Sequence, residues 1–252
     1  MRKLAGLLVL AALSTAACGG KGDGKAAADA SSASGAAAMG AASGGAMKAA
    51  DTAGAAKVAA ATPGDFEKRT GELSNPDDAT MVFLYHDLAG IPAPVDKWVE
   101  EDNKVRYAQP IDKAATREEV KAGITAGMAA VKTIGALHLT MNANLSDYDP
   151  SYSEFTVRAL APSSVLSWKA FGENVSLKFG NARQAQTWSV PAADAQSIRD
   201  RISSSSVNLD ALVRIKHVQP GPDGGEIIAD VVEYELRNGG DGTTIARVTV
   251  TK

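Results

Sequence analysis

The 252-residue chain has one cysteine, three histidines and few aromatic residues, which make up 5% of the sequence. One cysteine cannot form an intramolecular disulfide or a zinc site built from several cysteines. The formal net charge of −3 argues against a nucleic-acid interface that depends on a general excess of basic residues. No phosphate loop, zinc-protease motif or serine-nucleophile motif occurs. The chain is still 45% hydrophobic, which is sufficient for one globular domain with a core of its own or for two small domains.

A short apolar segment lies near the N-terminus. Arg2 and Lys3 precede the apolar run 4–13, and small residues then lead to the only cysteine, Cys18. Ten apolar residues are too few to span a bilayer, which takes about 20. A basic start, a short apolar run and small residues together form the layout of a secretory signal peptide. The sequence therefore predicts a signal peptide over residues 1–17.

The residues at the end of this segment are Ala16, Ala17 and Cys18, with Thr15 before them where a leucine is usual. They resemble the signal of bacterial lipoproteins, whose signal peptidase cuts just before a cysteine. The resemblance implies that the Cys18 thiol takes a diacylglycerol and that the freed amine is acylated, for example with palmitate. Two or three acyl chains make such an anchor effectively permanent. Gly19, in place of the aspartate that retains lipoproteins in the inner membrane, implies an outer-membrane anchor facing the periplasm. An ordinary secretory signal with an incidental Cys18 is the alternative.

The segment after the cysteine has a restricted composition. Of the 43 residues from 19 to 61, 19 are alanine and 9 are glycine, and none is aromatic. Such a segment cannot bury enough apolar surface to offset its ordering entropy, and its glycines interrupt every long helical run. We therefore predict that residues 18–61 form a lipidated cysteine followed by a disordered tether. Low-complexity sequence without a spacing role is the alternative.

Residues 62–252 are predicted to form a single domain, and their first half has helical patterns. A short helix is expected to begin at residues 62–65 and to include Leu73. The run from Asn75 to Asp78 is typical of a helix start, with Asn75 as the cap, and Gly90 is expected to end that helix. Its apolar residues occur nearly all round, so a buried helix and a strand both fit the pattern. Pro94 begins a third helix, and a capping box at 116–119 starts a helix over 117–132.

The second half of the domain changes to the two-residue period of strands. A helix is predicted after Pro191, and turn residues at 220–225 and 238–242 indicate hairpins. Alternating segments predict strands at 136–145, 153–160, 174–179, 185–190, 209–218, 226–236 and 243–250. Helices followed by strands are typical of an α+β fold. We expect N-terminal helices followed by an antiparallel sheet with one further helix.

The order of these elements is similar to that of an uncharacterised bacterial family of periplasmic domains of unknown function. The residues that carry the resemblance are Tyr148 and Asp149 leading into Phe155, the segment 182–198, and the hairpin at 227–236. The resemblance covers roughly the last 120 residues. It implies no activity.

Few side chains are candidates for catalysis or metal binding. His86 and Asp87 could form an acid–base pair, but His86 lies near a predicted helix end, where a structural role is favoured. His138 and His217 are isolated in predicted strands. Calcium could use the oxygens of a short acidic cluster, although a plain turn is favoured there. That cluster comprises Asp147, Asp149, Ser151 and Glu154. We predict no catalytic residue, no metal site and no cofactor.

Exposed aromatic residues near an arginine are typical of protein contact surfaces. Arg106 with Tyr107, and Tyr148 with Tyr152, are the candidate binding residues. The sequence favours a non-catalytic binding or assembly module, with the bilayer and an envelope protein as partners and no nucleic acid. A periplasmic hydrolase or a small-ligand-binding accessory protein is the alternative. A deep cleft with converging titratable groups would favour that alternative.

Overall fold

The computed structural model describes residues 66–202 and 206–251. The predicted signal peptide, Cys18 and the predicted tether lie outside these residues. Within the two described ranges, no helix is both long and apolar enough to cross a membrane.

Helix α1 (Asp78–Ala89) is buried on all sides, and eight of its 12 residues are buried. Asp77 caps it by accepting a hydrogen bond from the Thr80 backbone N–H at 2.8 Å, and Gly90 ends it in the left-handed conformation with φ of 65°. Two hydrogen bonds from Thr80 lower the pKa of Asp77. The predicted helix is thus present, but its cap is Asp77 rather than Asn75.

Three further helices precede the main strands: α2 (Val95–Glu101), α3 (Asn103–Arg106) and α4 (Lys113–Ala130). Helix α4 contacts all three of the preceding helices. It begins at Lys113, before the predicted capping box. Thr116 lies inside its first turn, where the hydroxyl donates to the Asp112 carbonyl oxygen at 3.0 Å. The prediction that Thr116 caps this helix is therefore wrong.

Nine strands, two α-helices and one short 3₁₀-helix (Arg158–Leu160) complete the described elements. The strands are β1 (Gly71–Ser74), β2 (Ile134–Asn142), β3 (Glu154–Thr156), β4 (Val165–Ala170), β5 (Glu173–Phe179), β6 (Thr187–Ser189), β7 (Val207–Gly221), β8 (Gly224–Asn238) and β9 (Thr244–Thr249). Helices α5 (Ala182–Ala185) and α6 (Ala192–Ile202) lie on either side of β6.

One sheet contains seven of the nine strands, in the order β1-β2-β7-β8-β5-β4, and β9 also pairs with β8. The fold is α+β, but the sheet is mixed, not antiparallel as expected. Strand β1 is parallel to β2, and β5 is parallel to β8. The crossover through α1 to α4 returns the chain to the sheet in its original direction, which makes the first of these pairs parallel.

Other details also differ from the sequence prediction. Strand β1 precedes the helices and contains Leu73, which was expected in a helix, and two helices rather than one follow α4. The predicted strands 136–145 and 153–160 are joined by an isolated antiparallel bridge between Leu145 and Val157 and do not form a continuous ladder. Strand β3 instead pairs with β6 in a separate two-stranded sheet. Alternation identifies a strand and its buried face, but it does not identify the partner strand.

The sheet curves around α1, so that its two edges approach each other. Trp168 on edge strand β4 donates its indole N–H to the carbonyl oxygen of Pro76, which follows the opposite edge strand β1, at 3.1 Å. The next backbone N–H, of Lys169, donates to a carboxylate oxygen of Asp78 at 3.2 Å. The N-terminal end of α1 therefore lies between the two edges.

An aromatic stack connects the α2 side of the core to the β4–β5 hairpin. The Trp98 and Phe171 ring centroids are 4.6 Å apart, and Phe83 lies 5.5 Å from Phe171. Phe171 and Gly172 both have positive φ angles, 53° and 77°, which a two-residue type I′ hairpin turn requires. Burial against Trp98 and Phe83 compensates for the unusual conformation of the non-glycine Phe171.

Candidate functional site

An open groove of about 640 Å³ lies on the sheet face opposite α1. Along β7, Leu209, Ala211 and Val213 are buried in the core, while Asp210 and Leu212 alternate with them and face the groove. Strands β1, β2, β7, β8 and β9 all contribute to its lining. The charged and imidazole side chains among the lining residues are His138, Asp210, Glu233, Glu235, Arg237 and Arg247.

A network of ion pairs crosses three strands in this groove. Arg237 lies 3.1 Å from a carboxylate oxygen of Asp210 and 3.1 Å from one of Glu235. Arg247 lies 3.3 Å from the same Glu235 oxygen. Strand register places Asp210 directly opposite Glu235, an arrangement of like charges that is destabilising by itself. The guanidinium of Arg237 between them makes this pairing stable.

Glu235 remains ionised in this network. The Thr244 hydroxyl donates a hydrogen bond to its carboxylate, and the charges of Arg237 and Arg247 act in the same direction. Together they hold the pKa of Glu235 below its usual value. A carboxylate of this kind supplies a fixed negative charge at neutral pH.

The other side of the groove has fewer internal pairs. His138 lies 3.1 Å from a carboxylate oxygen of Glu72 on the neighbouring strand. Glu233 is exposed, and register places it opposite Leu212 and Thr249. Among the described residues no cationic group lies within 4 Å of the Glu233 carboxylate. The groove therefore offers one free carboxylate to a ligand.

A smaller apolar notch of about 190 Å³ adjoins the groove where the sheet edges approach each other. Asn75 and Thr140 line both cavities. They are joined by two hydrogen bonds: the Thr140 backbone N–H donates to Asn75 at 2.7 Å, and the Asn75 amide donates to the Thr140 hydroxyl at 3.2 Å. The apolar lining of the notch consists of Pro76, Leu139, Met141, Leu166 and Trp168.

His86 and Asp87 do not pair with each other. Asp87 bonds to Arg69 at 2.7 Å, whereas the His86 Nε2 atom lies 2.9 Å from a Glu173 carboxylate oxygen. The His86 Nδ1 atom lies 3.2 Å from the Ile91 carbonyl oxygen. Both neighbours of the ring are acceptors, so both contacts are hydrogen bonds only when each ring nitrogen carries a hydrogen. His86 is 5% exposed and lines neither the groove nor the notch.

Arg106 and Tyr107 lie at the end of α3, away from both cavities. Tyr107 is 76% exposed, and the guanidinium carbon of Arg106 lies 5.9 Å from its ring centroid. This distance is within the range of a cation–π contact. The pair is available to a partner, as the sequence predicts, but the prediction that it binds one stays a prediction.

Tyr148 and Tyr152 also lie outside the groove and the notch. Tyr152 is 74% exposed. Tyr148 is half-buried: its hydroxyl donates to the Val190 carbonyl oxygen at 3.0 Å, and its ring centroid lies 5.2 Å from that of Phe155. These contacts give Tyr148 a packing role and leave Tyr152 as the accessible member of the pair.

The acidic cluster around residue 150 behaves as a turn. A carboxylate oxygen of Asp149 accepts a hydrogen bond from the Ser151 backbone N–H at 2.8 Å. In the part of the chain that the structure describes, no group of three or more histidine, cysteine, aspartate or glutamate side chains could hold a metal ion. The Asp149 carboxylate therefore stabilises the backbone of the turn in which it lies.

The groove was not among the sites predicted from the sequence. In the sequence, the polar residues of the alternating strands indicate it. They lie on one face of the sheet and include Asp210, Glu233, Glu235, Arg237 and Arg247. Combining these residues requires the order β7-β8-β9, and the hairpin loops at 220–225 and 238–242 already indicate that order. The polar residues of the predicted strands, taken in this strand order, are sufficient to predict the network.

The chain was compared with protein-family models, with curated proteins and with solved structures, and none of them matches it. The two resemblances in the sequence, to bacterial lipoprotein signals and to a periplasmic domain family, therefore remain predictions.

Proposed function

We propose that the protein is a lipid-anchored, non-catalytic binding module on the periplasmic side of the bacterial outer membrane, and that the groove is its contact surface. The observation that carries this proposal is the combination of a charged groove on one sheet face with an adjoining apolar notch. Specific sites commonly combine an apolar pocket with a few placed polar groups.

The chemistry of the two cavities favours a polypeptide segment as the ligand. The notch has room for one large apolar side chain, and an anchor of this kind in a pocket contributes much of the binding energy in protein interfaces. The free Glu233 carboxylate suits a lysine or arginine of the same segment. Hydrogen-bonding side chains such as Asn75 and Thr140 lie between the two positions.

The electrostatics of the groove suit binding better than proton transfer. A general acid or base works best when its pKa lies near the working pH. Glu235 has a lowered pKa, and Asp210 shares Arg237 with it. Charges held in pairs across strands favour recognition of a complementary ligand over acid–base chemistry.

The proposed anchor and tether support the same function. A tether attached to Cys18 would keep the domain near the membrane and raise its effective concentration toward membrane-bound partners, often to millimolar for short flexible links. A weak binder gains more from this than does an enzyme whose substrate diffuses. An envelope protein is therefore the expected partner.

Site-specific photo-cross-linking in intact cells tests the proposed surface. A cross-linking residue at Thr249, in the groove, should capture a discrete protein partner, and one at the exposed Gln184, outside it, should not. Glu233→Lys should abolish the Thr249 adduct. The matched control Glu118→Lys, on the exposed surface of α4, should preserve it. Equal capture from both positions, or an unchanged adduct with Glu233→Lys, would show that the groove is not the contact surface.

A further inference from the structure

The loop between α3 and α4, residues 107–112, presents two large apolar side chains to solvent. Ile111 is 89% exposed and Tyr107 is 76% exposed, the two highest values among the exposed large apolar residues that the structure describes. The loop is not loosely attached. Val105, just before it, is fully buried, and the Asp112 backbone N–H donates to the Gln109 carbonyl oxygen at 3.0 Å.

Cationic side chains flank this loop. Lys104, Arg106 and Lys113 lie close to it in the chain, and Asp112 is the only acidic residue between positions 103 and 114. Within the described residues, no carboxylate lies within 4 Å of Arg106. Lys104 has one ion pair, at 3.8 Å, with both side chains exposed, and such pairs contribute little.

Two of the cations at the loop, Arg106 and Lys113, thus have no carboxylate within 4 Å among the described residues, whereas Asp102 and Glu119 lie beside Lys104. Residues 62–252 contain 20 basic and 26 acidic residues, so the domain as a whole disfavours an anionic surface. Charges more than about 10 Å apart are largely screened at physiological ionic strength, so acidic residues far from the loop have little effect on what it can contact.

We propose that this loop is a membrane-contact site that inserts shallowly into a bilayer containing anionic phospholipid. Ile111 enters the boundary of the acyl chains, and the Tyr107 ring lies at the level of the headgroups, where aromatic side chains concentrate. Arg106 and Lys113 bind lipid phosphates, each strengthening attachment by about fivefold. The Arg106–Tyr107 contact keeps a cation beside the inserted ring.

Such a loop binds weakly by itself, because stable attachment to a membrane takes more than one signal. Combined with an acyl anchor, it would orient the domain on the bilayer. The contact is nevertheless separate from the groove and from Cys18, so it can be tested in the absence of both.

The test uses residues 18–252 with Cys18→Ser, checked for cooperative unfolding, and vesicles of phosphatidylcholine with or without phosphatidylglycerol. The protein should cosediment with the vesicles that contain phosphatidylglycerol, and added salt should release it. Ile111→Ser should weaken binding about tenfold, since it removes one buried aliphatic side chain. Tyr107→Ser should also weaken it, whereas the matched control Tyr152→Ser, at a similar exposure, should not.

Three outcomes would overturn the proposal. The first is no binding to either kind of vesicle, and the second is equal loss from Tyr107→Ser and Tyr152→Ser. The third is an Ile111→Ser variant that binds the vesicles as tightly as the wild type, which would mean that Ile111 does not enter the bilayer.

Discussion

The side-chain amide of Asn181 makes both hydrogen bonds of a missing strand with Val231. Its Nδ2 donates to the Val231 carbonyl oxygen at 2.8 Å, and its Oδ1 accepts from the Val231 N–H at 2.8 Å. On this edge, β8 pairs with β5 as far as Ala229 and with β9 from Glu233 onward. The Asn181 side chain thus provides hydrogen-bond partners for the β8 backbone in the gap between β5 and β9.

Asn181→Ala should destabilise the domain by about 2–4 kcal/mol, because it leaves two partly buried backbone groups without partners. Asn181→Asp should also destabilise it, since a carboxylate can accept from the Val231 N–H but cannot donate to the Val231 carbonyl oxygen. The control Asn174→Ala removes an exposed amide from β5, and its effect should stay within about 0.5 kcal/mol. Urea unfolding of the three variants measures these differences, and similar midpoints for Asn181→Ala and Asn174→Ala would contradict the bridging role.

Asp77→Ala should lower the free energy of unfolding by about 1 kcal/mol at neutral pH, because it removes the N-cap of the buried helix α1. The folded-state pKa of Asp77 lies below its ordinary value of 3.8. The stabilisation from its charge is therefore complete well above pH 3.8 and declines as the pH falls through the lower folded-state pKa. The difference in stability between wild type and Asp77→Ala should shrink in that acidic range. Urea unfolding at a series of pH values measures it, and a difference that grows on acidification would contradict this sign.

Local signals in the sequence account for much of the fold. The residues that begin and end helix α1, Asp77 and Gly90, directly flank it in the sequence. The alternation over 209–218 likewise predicts β7. Pairing between distant segments has no such signal. The parallel pairs of the sheet, the short strand β4 and the contact of His86 with Glu173 across 87 positions all depend on tertiary packing. The groove depends on strand order in the same way.

Glu173→Ala should destabilise the domain by about 1–3 kcal/mol, because it leaves the buried His86 Nε2 without a partner. Glu173→Gln should retain most of the stability, since an amide oxygen can still accept from the ring. Thermal unfolding compares the two variants with Glu118→Ala, which removes an exposed carboxylate from α4. A loss for Glu173→Ala no greater than that for Glu118→Ala would show that the pair has no role in stability.

The titration of Glu235 should report the groove network directly. Its side-chain carbon resonance should titrate below the usual glutamate pKa of 4.5. Thr244→Val should raise this pKa most, because the Thr244 hydroxyl is the main cause of the shift, and Arg247→Gln should raise it less. Nuclear magnetic resonance of carbon-labelled protein measures both effects. A Glu235 pKa that is unchanged in the Thr244→Val variant would mean that this hydrogen bond does not form in solution.

The lipidation proposed for Cys18 predicts an altered mature N-terminus. Mass spectrometry of the N-terminal peptide should find a chain that begins at Cys18 with diacylglycerol on the thiol and an acyl group on the amine. Cys18→Ser should move the protein out of the membrane fraction, because it removes the thiol that accepts the lipid. A mature chain that begins elsewhere and retains a free Cys18 thiol would reject the anchor while leaving the groove proposal open.

The position of β7 and β8 at the centre of the sheet affects how the chain can fold as it is made. They come late in the sequence, whereas α1, which is buried against them, comes early. During vectorial synthesis or export, the apolar surface of α1 has no sheet to cover it until the chain has emerged through Asn238. Contacts between such distant segments slow folding. We expect a holding chaperone to bind the α1 segment during that interval, and we expect C-terminal truncations to remain unfolded.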